Sequence, residues 1–457
     1  MNNTTTYTST FSRLKDSKSL KAIIITILLL IMLIPSSMVT DLIYERRSRL
    51  QEAESNIFNT WSREQLLSGP ILTIPYEEFE TINKKTIKRI KYAYLLTKQL
   101  DIKGDIKTKK LSRGIFEVPV YESSLYVSGN FDLASLNKLN IKDEHFLWNR
   151  AFVTLGFSDT RGIMKENPLL WNKEELSFEP GSKISEIIST GVTYNVPITK
   201  HEKNYDFKFQ LDLKGSKNLS FVPSGKNTHI ELTSKWKSPS FFGNFLPNER
   251  EVSDSGFIAS WDIHQINTGM AQQWKENEKN TSFNKSSFGV EFLIPVDNYS
   301  KSLRSAKYAF MTISLTFLVF FLVELLSKRK THPIQYALVG LAISLFYTLL
   351  VSLSEHLSFN LSYFISYLAI ALIIFAYSTT IFKKRLHSFL LLAVTTLIYS
   401  FVFITIQLED FALLLGSVGL LLTLASVMYF TRKVKWYNEA PEPTVSEPET
   451  IEQNKIE

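Results

Sequence analysis

Residues 332–385 read HPIQYALVGLAISLFYTLLVSLSEHLSFNLSYFISYLAIALIIFAYSTTIFKKR, and this stretch decides the architecture. Two apolar runs, Ile334 to Leu353 and Leu361 to Phe382, each reach the roughly 20 residues a helix needs to cross bilayer hydrocarbon. Glu355 and His356 lie between them, and Lys383, Lys384 and Arg385 follow. Polar hairpins this short predict consecutive spans whose loops alternate in charge.

Three further runs flank this pair: Lys307 to Leu326, Phe389 to Ile406 and Phe411 to Phe430. Another lies far upstream, Ala22 to Val39, after Arg13, Lys15, Lys18 and Lys21. That run is interrupted only by Pro35. It is longer than a secretory apolar core and leads into Met38, Val39 and Thr40, which favours an uncleaved anchor over a signal peptide. The loops carry Lys328, Arg329 and Lys330, then Glu355 and His356, then Lys383 to Arg385, then Glu409 and Asp410, then Arg432, Lys433 and Lys435. Basic loops stay in the cytoplasm. The expected protein therefore has six transmembrane helices, one N-terminal and five C-terminal, with both chain ends cytoplasmic. Arg46, Arg47, Arg49, Lys301, Arg304 and Lys307 run against the rule, but charge bias weakens beside a long translocated domain.

The boundaries that follow are 1–21 for a cytoplasmic N-terminus, 22–40 for the first span, 41–305 for a periplasmic domain, 306–431 for a five-helix bundle and 432–457 for an acidic, unstructured tail. Composition agrees with that division. The formal net charge is +7, yet the basic residues cluster beside apolar runs and no nucleic-acid reading motif is present, so nucleic acid is not expected as a partner. The absence of cysteine excludes disulfides, thiolate metal sites and cysteine nucleophiles.

The insert opens as a helical stalk (41–62), with Leu50, Ala53, Ile57 and Trp61 spaced at three and four residues among charged neighbours. After Gly69 and Pro70 the period becomes two. Tyr205, Phe207, Phe209, Leu211 and Leu213 alternate with polar residues, as do Tyr92 to Leu96, Leu125 to Phe131 and His229 to Leu232. These predict half-buried strands over 70–298, joined by Gly215-Ser216, Pro223-Ser224-Gly225 and Asp254-Ser255-Gly256 turns into mainly antiparallel, sandwich-like sheets.

Several strings resemble the CreD family of inner-membrane proteins. They are LIPSSMVTDLIYERRSRLQEAESNIFNTWSREQLLSGPILTIPY (33–76), Ser158 to Ile163, LKGSKNLSFVPSGKN from Leu213, PSFFGNFLP from Pro239, Gly256-Phe257 ahead of Trp261, and HPIQYALVGLAISLFYTLLVSLSEH (332–356). The resemblance implies a bacterial inner-membrane protein linked to cell-envelope integrity and colicin tolerance, in a regulon under a two-component sensor. It implies no reaction and no catalytic residue.

Candidate chemistry is sparse. No HExxH, GxSxG or Walker loop is present, and the seven histidines have no metal-ligand spacing, so neither cofactor nor metal is expected. Glu324, inside an apolar run, either lines a cavity between helices or is neutralised by Lys328 one turn on, the reading favoured here. Glu355, His356, Glu409 and Asp410 fall on one side of the membrane, as an acidic, proton-responsive cluster or, preferred, as solvated turn residues. Gln335 and Asn360 suit hydrogen bonds between helices. In the insert, Asp159 and Arg161 form either a binding pair at a strand end or, preferred, a turn. Phe241, Phe242 and Phe245 form an exposed patch for a partner or the bilayer or, preferred, pack into the core. The basic run Lys84 to Lys91 reads as a solvated loop, with anionic lipid or polysaccharide as the sharper alternative.

Three functions follow. The leading one is a non-enzymatic envelope-maintenance protein, anchored in the bilayer, whose periplasmic domain senses, scaffolds or contacts envelope proteins, peptidoglycan or lipid. A transporter built on the five-helix bundle is second. A periplasmic envelope-modifying enzyme is third, and it requires Asp159, Arg161 and His201 to converge in one pocket.

Overall fold

The computed structural model describes residues 18–82, 85–165, 168–276, 278, 283–293, 298–327, 331–382, 384–408 and 411–432. The tail beyond 432, with the sequence expectation attached to it, lies outside them. The helices are α1 (Lys18–Ile31), α2 (Leu33–Trp61), α3 (Gln265–Thr268), α4 (Asn298–Lys307), α5 (Ala309–Ser327), α6 (Pro333–Ser354), α7 (Phe359–Ile381), α8 (Arg385–Gln407) and α9 (Ala412–Thr431). The chain divides into two compact units, Met1–Arg46 with Asn298–Glu457, and Arg47–Asp297.

The first unit is helical. Among the described residues four helices are long and apolar enough to cross a membrane, Leu20–Trp61, Pro333–Ser354, Phe359–Ile381 and Arg385–Gln407. The pair Asn298–Lys307 and Ala309–Leu325, bent by 43°, makes a fifth if taken as one span. The break between α1 and α2 falls at Met32, because Pro35 has no N–H to donate to the carbonyl of Ile31 and its ring crowds that carbonyl.

This unit has an apolar core, yet it also exposes large apolar side chains while burying small hydroxyls. Leu345, Phe364, Leu372, Leu386 and Leu397 are exposed, whereas Ser344, Ser362, Ser366, Ser378, Thr395 and Thr405 are buried. Small hydroxyl residues let helices approach closely, and an outer surface this rich in leucine and phenylalanine suits lipid. Several of the buried hydroxyls are satisfied within their own helix, Ser344 by the Gly340 carbonyl at 3.1 Å and Thr395 by Leu391 at 2.9 Å.

The second unit is β-rich. Its strands begin with β1 (Gln65–Ile82), β2 (Lys85–Arg113), β3 (Phe116–Asp132), β4 (Phe152–Gly156), β5 (Leu169–Trp171), β6 (Glu174–Leu176), β7 (Glu179–Pro180) and β8 (Gly191–Asn195). They continue as β9 (Asn204–Ser216), β10 (Asn218–Phe221), β11 (Gly225–Ser234), β12 (Pro239–Gly243), β13 (Glu249–Ser253), β14 (Gly256–His264), β15 (Gln273–Lys275) and β16 (Phe288–Phe292).

Sandwich-like sheets were expected, but the pairings link all strands into one curled 16-stranded sheet. The reason lies in two long strands. β1 pairs in parallel with β10 over Gln65–Leu67, shifts register between Ser68 and Ile71, then pairs with both β2 and β4. β2 pairs over its first half with β1 and β15, and over its second half with β3 and, in parallel, with β11. The remaining pairs are antiparallel.

β9 alternates as its sequence demands, burying Tyr205, Phe207, Phe209, Leu211 and Leu213. Tyr92 to Leu96 departs from the half-buried expectation, because both faces are covered. Ala93 and Leu95 belong to the main core, while Tyr94 and Leu96 pack with Ile71, Phe152, Ile188 and Trp274 on the other side. The end of α2 docks on the β2–β3 hairpin, with Ile57 against Val118 and Val120. Its last residue, Trp61, has the ammonium groups of Lys109 and Lys214 at 4.4 and 4.5 Å from its ring centroid.

Candidate functional site

Glu324, near the end of α5, is buried at 6% exposure. A carboxylate there needs a cation and hydrogen bonds together, since burial without them is prohibitive. The structure supplies both. Lys21 of α1 forms the ion pair, Tyr336 O–H donates to Oε2 at 2.8 Å, and the Thr331 N–H donates to Oε1 at 3.2 Å. The Thr331 hydroxyl donates as well, and Lys21 Nζ donates in turn to the Thr331 carbonyl at 2.7 Å. Thr331 and Tyr336 are placed by the start of α6, where Pro333 follows an N-cap His332 and Gln335 Oε1 receives the His332 N–H at 3.0 Å. Lys328, the partner favoured from sequence, lies outside the described residues.

The far end of α6 carries a second pairing. Glu355 receives the Tyr299 O–H at 3.1 Å and faces Arg46 Nε at 3.6 Å, while Asn298 Nδ2 donates to the Ser354 carbonyl at 2.6 Å. His356 beside it is exposed. Glu409 and Asp410, the other two residues of the expected acidic cluster, lie outside the described residues. Asn360 Oδ1 accepts from Gln407 Nε2 at 2.6 Å, linking α7 to α8.

Midway, Met32 packs at Gly340 of α6, where an added Cβ would come within 2.8 Å of Met32 Sδ and 2.9 Å of Phe317. The N-terminal helix is thus held at three levels. Lys21 and Arg46 are about 25 residues apart, or roughly 37 Å at 1.5 Å per residue. That separation matches bilayer hydrocarbon plus part of the headgroup region, about 30–45 Å.

In the β-rich unit, Asp159 and Arg161 serve the end of α2. Asp159 Oδ1 receives Arg161 Nε at 2.9 Å, and Oδ2 receives Arg161 Nη2 at 2.7 Å and the Arg63 N–H at 3.1 Å. Arg161 Nη1 then donates at 2.8 Å to the carbonyl of Asn59, one of the last-turn carbonyls a helix leaves unpaired. The Arg161 hydrogen bonds, outweighing burial, lower the Asp159 pKa to about 2. His201, needed for the enzymatic reading, makes no hydrogen bond or ion pair with either residue.

Phe241 packs edge-on against Phe257 and Trp261 at 5.7 Å, and Phe245 against Phe288 at 5.8 Å, so both line the main core. Phe242, on the alternate face of β12, is half-buried. Among the described residues no three His, Cys, Asp or Glu side chains converge as metal ligands. Sequence reading missed Lys21, Arg46, Tyr299 and Tyr336 as partners. The available signal was a lone acid in an apolar run, which calls for a cation at the same depth.

A helical unit that turns leucine outward and hydroxyls inward, with a β-rich unit inserted after its first apolar helix, defines a multi-pass integral membrane protein. The family model described as inner membrane protein CreD matches residues 17–437. The inner membrane protein CreD of Escherichia coli (strain K12) is 32% identical over 415 residues, covering 89% of this chain and 91% of that protein. The chain belongs to the CreD family of inner membrane proteins. A crystal structure from Parabacteroides distasonis ATCC 8503, described as a candidate protease, aligns with 65% of this chain and 57% of its own at 7% identity and a TM-score of 0.23, too low to carry any argument.

Proposed function

We propose that this chain is a non-enzymatic protein of the bacterial inner membrane that maintains cell-envelope integrity, with its β-rich unit working in the periplasm as a sensing, scaffolding or interaction domain. The observation that carries this reading is a folded unit at Arg47–Asp297, inserted between apolar helices in a chain of the CreD family. We assign six spans: the first part of the N-terminal helix, the 19-residue α5, α6, α7, α8 and the 20-residue α9. An even number returns both termini to the cytoplasm, and Lys384 and Arg385 at the start of α8 fit a retained basic loop. The extramembranous domain then covers about 41–305 and the bundle 306–431, with the bilayer as constant partner and envelope proteins, peptidoglycan or lipid as contacts of the outer domain.

Alkaline phosphatase fused near Gly225 should be active, and a fluorescent protein fused after Tyr437 should fluoresce. Phosphatase inactive at Gly225 would refute the topology. Loss of the gene should alter envelope permeability and the response to colicins or β-lactams, with plasmid-borne wild type restoring both. An unchanged deletion strain would refute the role.

One observation favours transport as a second reading. The hydroxyls of Ser366, Ser388 and Tyr399 are buried within the bundle without a hydrogen-bond partner among the described residues. Liposomes containing wild type or Glu324→Ala test it, and the absence of ion or lipid flux in the wild type removes it.

A further inference from the structure

The β-rich unit carries an open cleft of about 680 Å³ at the end of the β4–β8 pair. It arises because the two strands separate where their pairing stops. Phe152 lies opposite Asn195, and the Val196 N–H still reaches the Ala151 carbonyl at 3.1 Å. Beyond that point one chain turns through the 3-10 segment Trp148–Arg150, while the other leaves through Pro197. Ala151, Phe152 and Val196 make the floor, and the volume falls in the range of small-ligand clefts, about 300–1,000 Å³.

Its walls combine three chemistries. Tyr92 meets Phe152 edge-on at 6.1 Å, presenting a half-buried ring beside the prolines Pro75 and Pro197. Lys183 Nζ sits 5.6 Å from the Phe152 centroid, fixed there by Asn195 Oδ1 at 2.8 Å and by Glu179 at 3.0 Å. Asn149 and Arg150 stand exposed at the rim, and among the described residues neither side chain has a hydrogen-bond or ion-pair partner. Glu174 is the one carboxylate among the lining residues, against two cations.

We propose that this cleft binds an oligosaccharide bearing a single carboxylate. Sugar rings present C–H faces to Tyr92, their hydroxyl and amide groups suit Asn149 and Glu174, and the planar guanidinium of Arg150 matches a carboxylate in a bidentate fork. An extended peptide fits less well. Peptides dock by adding a strand to an open edge, and β8 is paired with β4 along its length and with β7 at Val192 and Thr193, while beside its Asn195 end Lys183 and Glu179 hold the Asn195 side chain. The ligand class rests on the cleft alone, whereas meeting that ligand in the periplasm rests on the topology proposed above.

The test uses the full-length protein in detergent, titrated calorimetrically with two probes: the disaccharide of N-acetylglucosamine and N-acetylmuramic acid, and chitobiose, which lacks the lactyl carboxylate. Wild type should bind the first at least tenfold more tightly. Arg150→Ala should abolish that preference, leaving chitobiose affinity unchanged within twofold, and Tyr92→Ala should weaken both probes alike. No saturable binding of either probe, equal binding of both by wild type, or a preference that survives Arg150→Ala would each overturn the proposal. Tighter binding of a carboxylate-terminated peptide would overturn the sugar assignment. None of these outcomes depends on which side of the membrane the domain occupies, so the topology reporters fail or succeed independently.

Discussion

Lys21 and Glu324 stand 303 positions apart in the chain and form one ion pair, sealed by Thr331 and Tyr336. Removing one member of such a pair strands a charge, which typically costs about 3–5 kcal/mol, whereas removing both costs less. Lys21→Met should therefore lower the detergent-solubilised melting temperature more than the Lys21→Met/Glu324→Gln double variant does. Additive losses in that double-mutant cycle would mean that the two groups are not coupled.

Gly340 tests the middle of the same seam. A leucine there has to displace Met32 or Phe317, and overpacking of this kind costs about 1–3 kcal/mol. Gly340→Leu should expose the N-terminal helix to added protease, and Met32→Ala in that background should recover part of the protection. If Met32→Ala makes Gly340→Leu worse, the two side chains do not share the space.

Asp159 sets an acid limit on the β-rich unit. Its folded pKa, about 2, lies below the ordinary value of 3.8, so its contribution is fully present above about 3.8 and is lost as pH falls toward 2. Asp159→Asn should reduce stability by roughly 1 kcal/mol at neutral pH, the difference between charge-assisted and neutral hydrogen bonds. The difference between variant and wild type should shrink between pH 4 and pH 2, as read by tryptophan fluorescence in urea. A difference independent of pH would show that the carboxylate charge is not what holds Arg161 and the Arg63 N–H.

Trp61, at the end of α2, should respond to its two cations. Lys109→Met and Lys214→Met keep most of each stem and remove the charge, and each should cost about 0.5–1 kcal/mol. Urea titration of the single and double variants checks this, and unchanged midpoints would reduce both contacts to coincidence of position.

Legibility followed the range of the interaction involved. The alternation Tyr205 to Leu213 and the three-and-four spacing of Leu50, Ala53, Ile57 and Trp61 were readable because a strand or helix face is written into its own consecutive residues. Tyr92 to Leu96 misled for the same reason. Its alternation describes one covered face, and only the arrival of Trp274 and Ile188 from distant segments covers the other. Arg46 illustrates the gap from another side. In sequence it is an arginine that offends the charge rule, and in the fold it is a counter-ion of Glu355.

By itself, the order of residues determined which stretches are apolar enough for lipid and which must meet water, because that partition depends on hydropathy summed over about 20 neighbours. Folding alone decided that β1 and β2 join all the strands into one curled sheet, and that Lys21, Met32 and Arg46 bind the N-terminal helix to α6 and its neighbours. Those outcomes depend on contacts between residues hundreds of positions apart. A buried charge accepts any well-placed opposite charge, and no local pattern names which one will arrive.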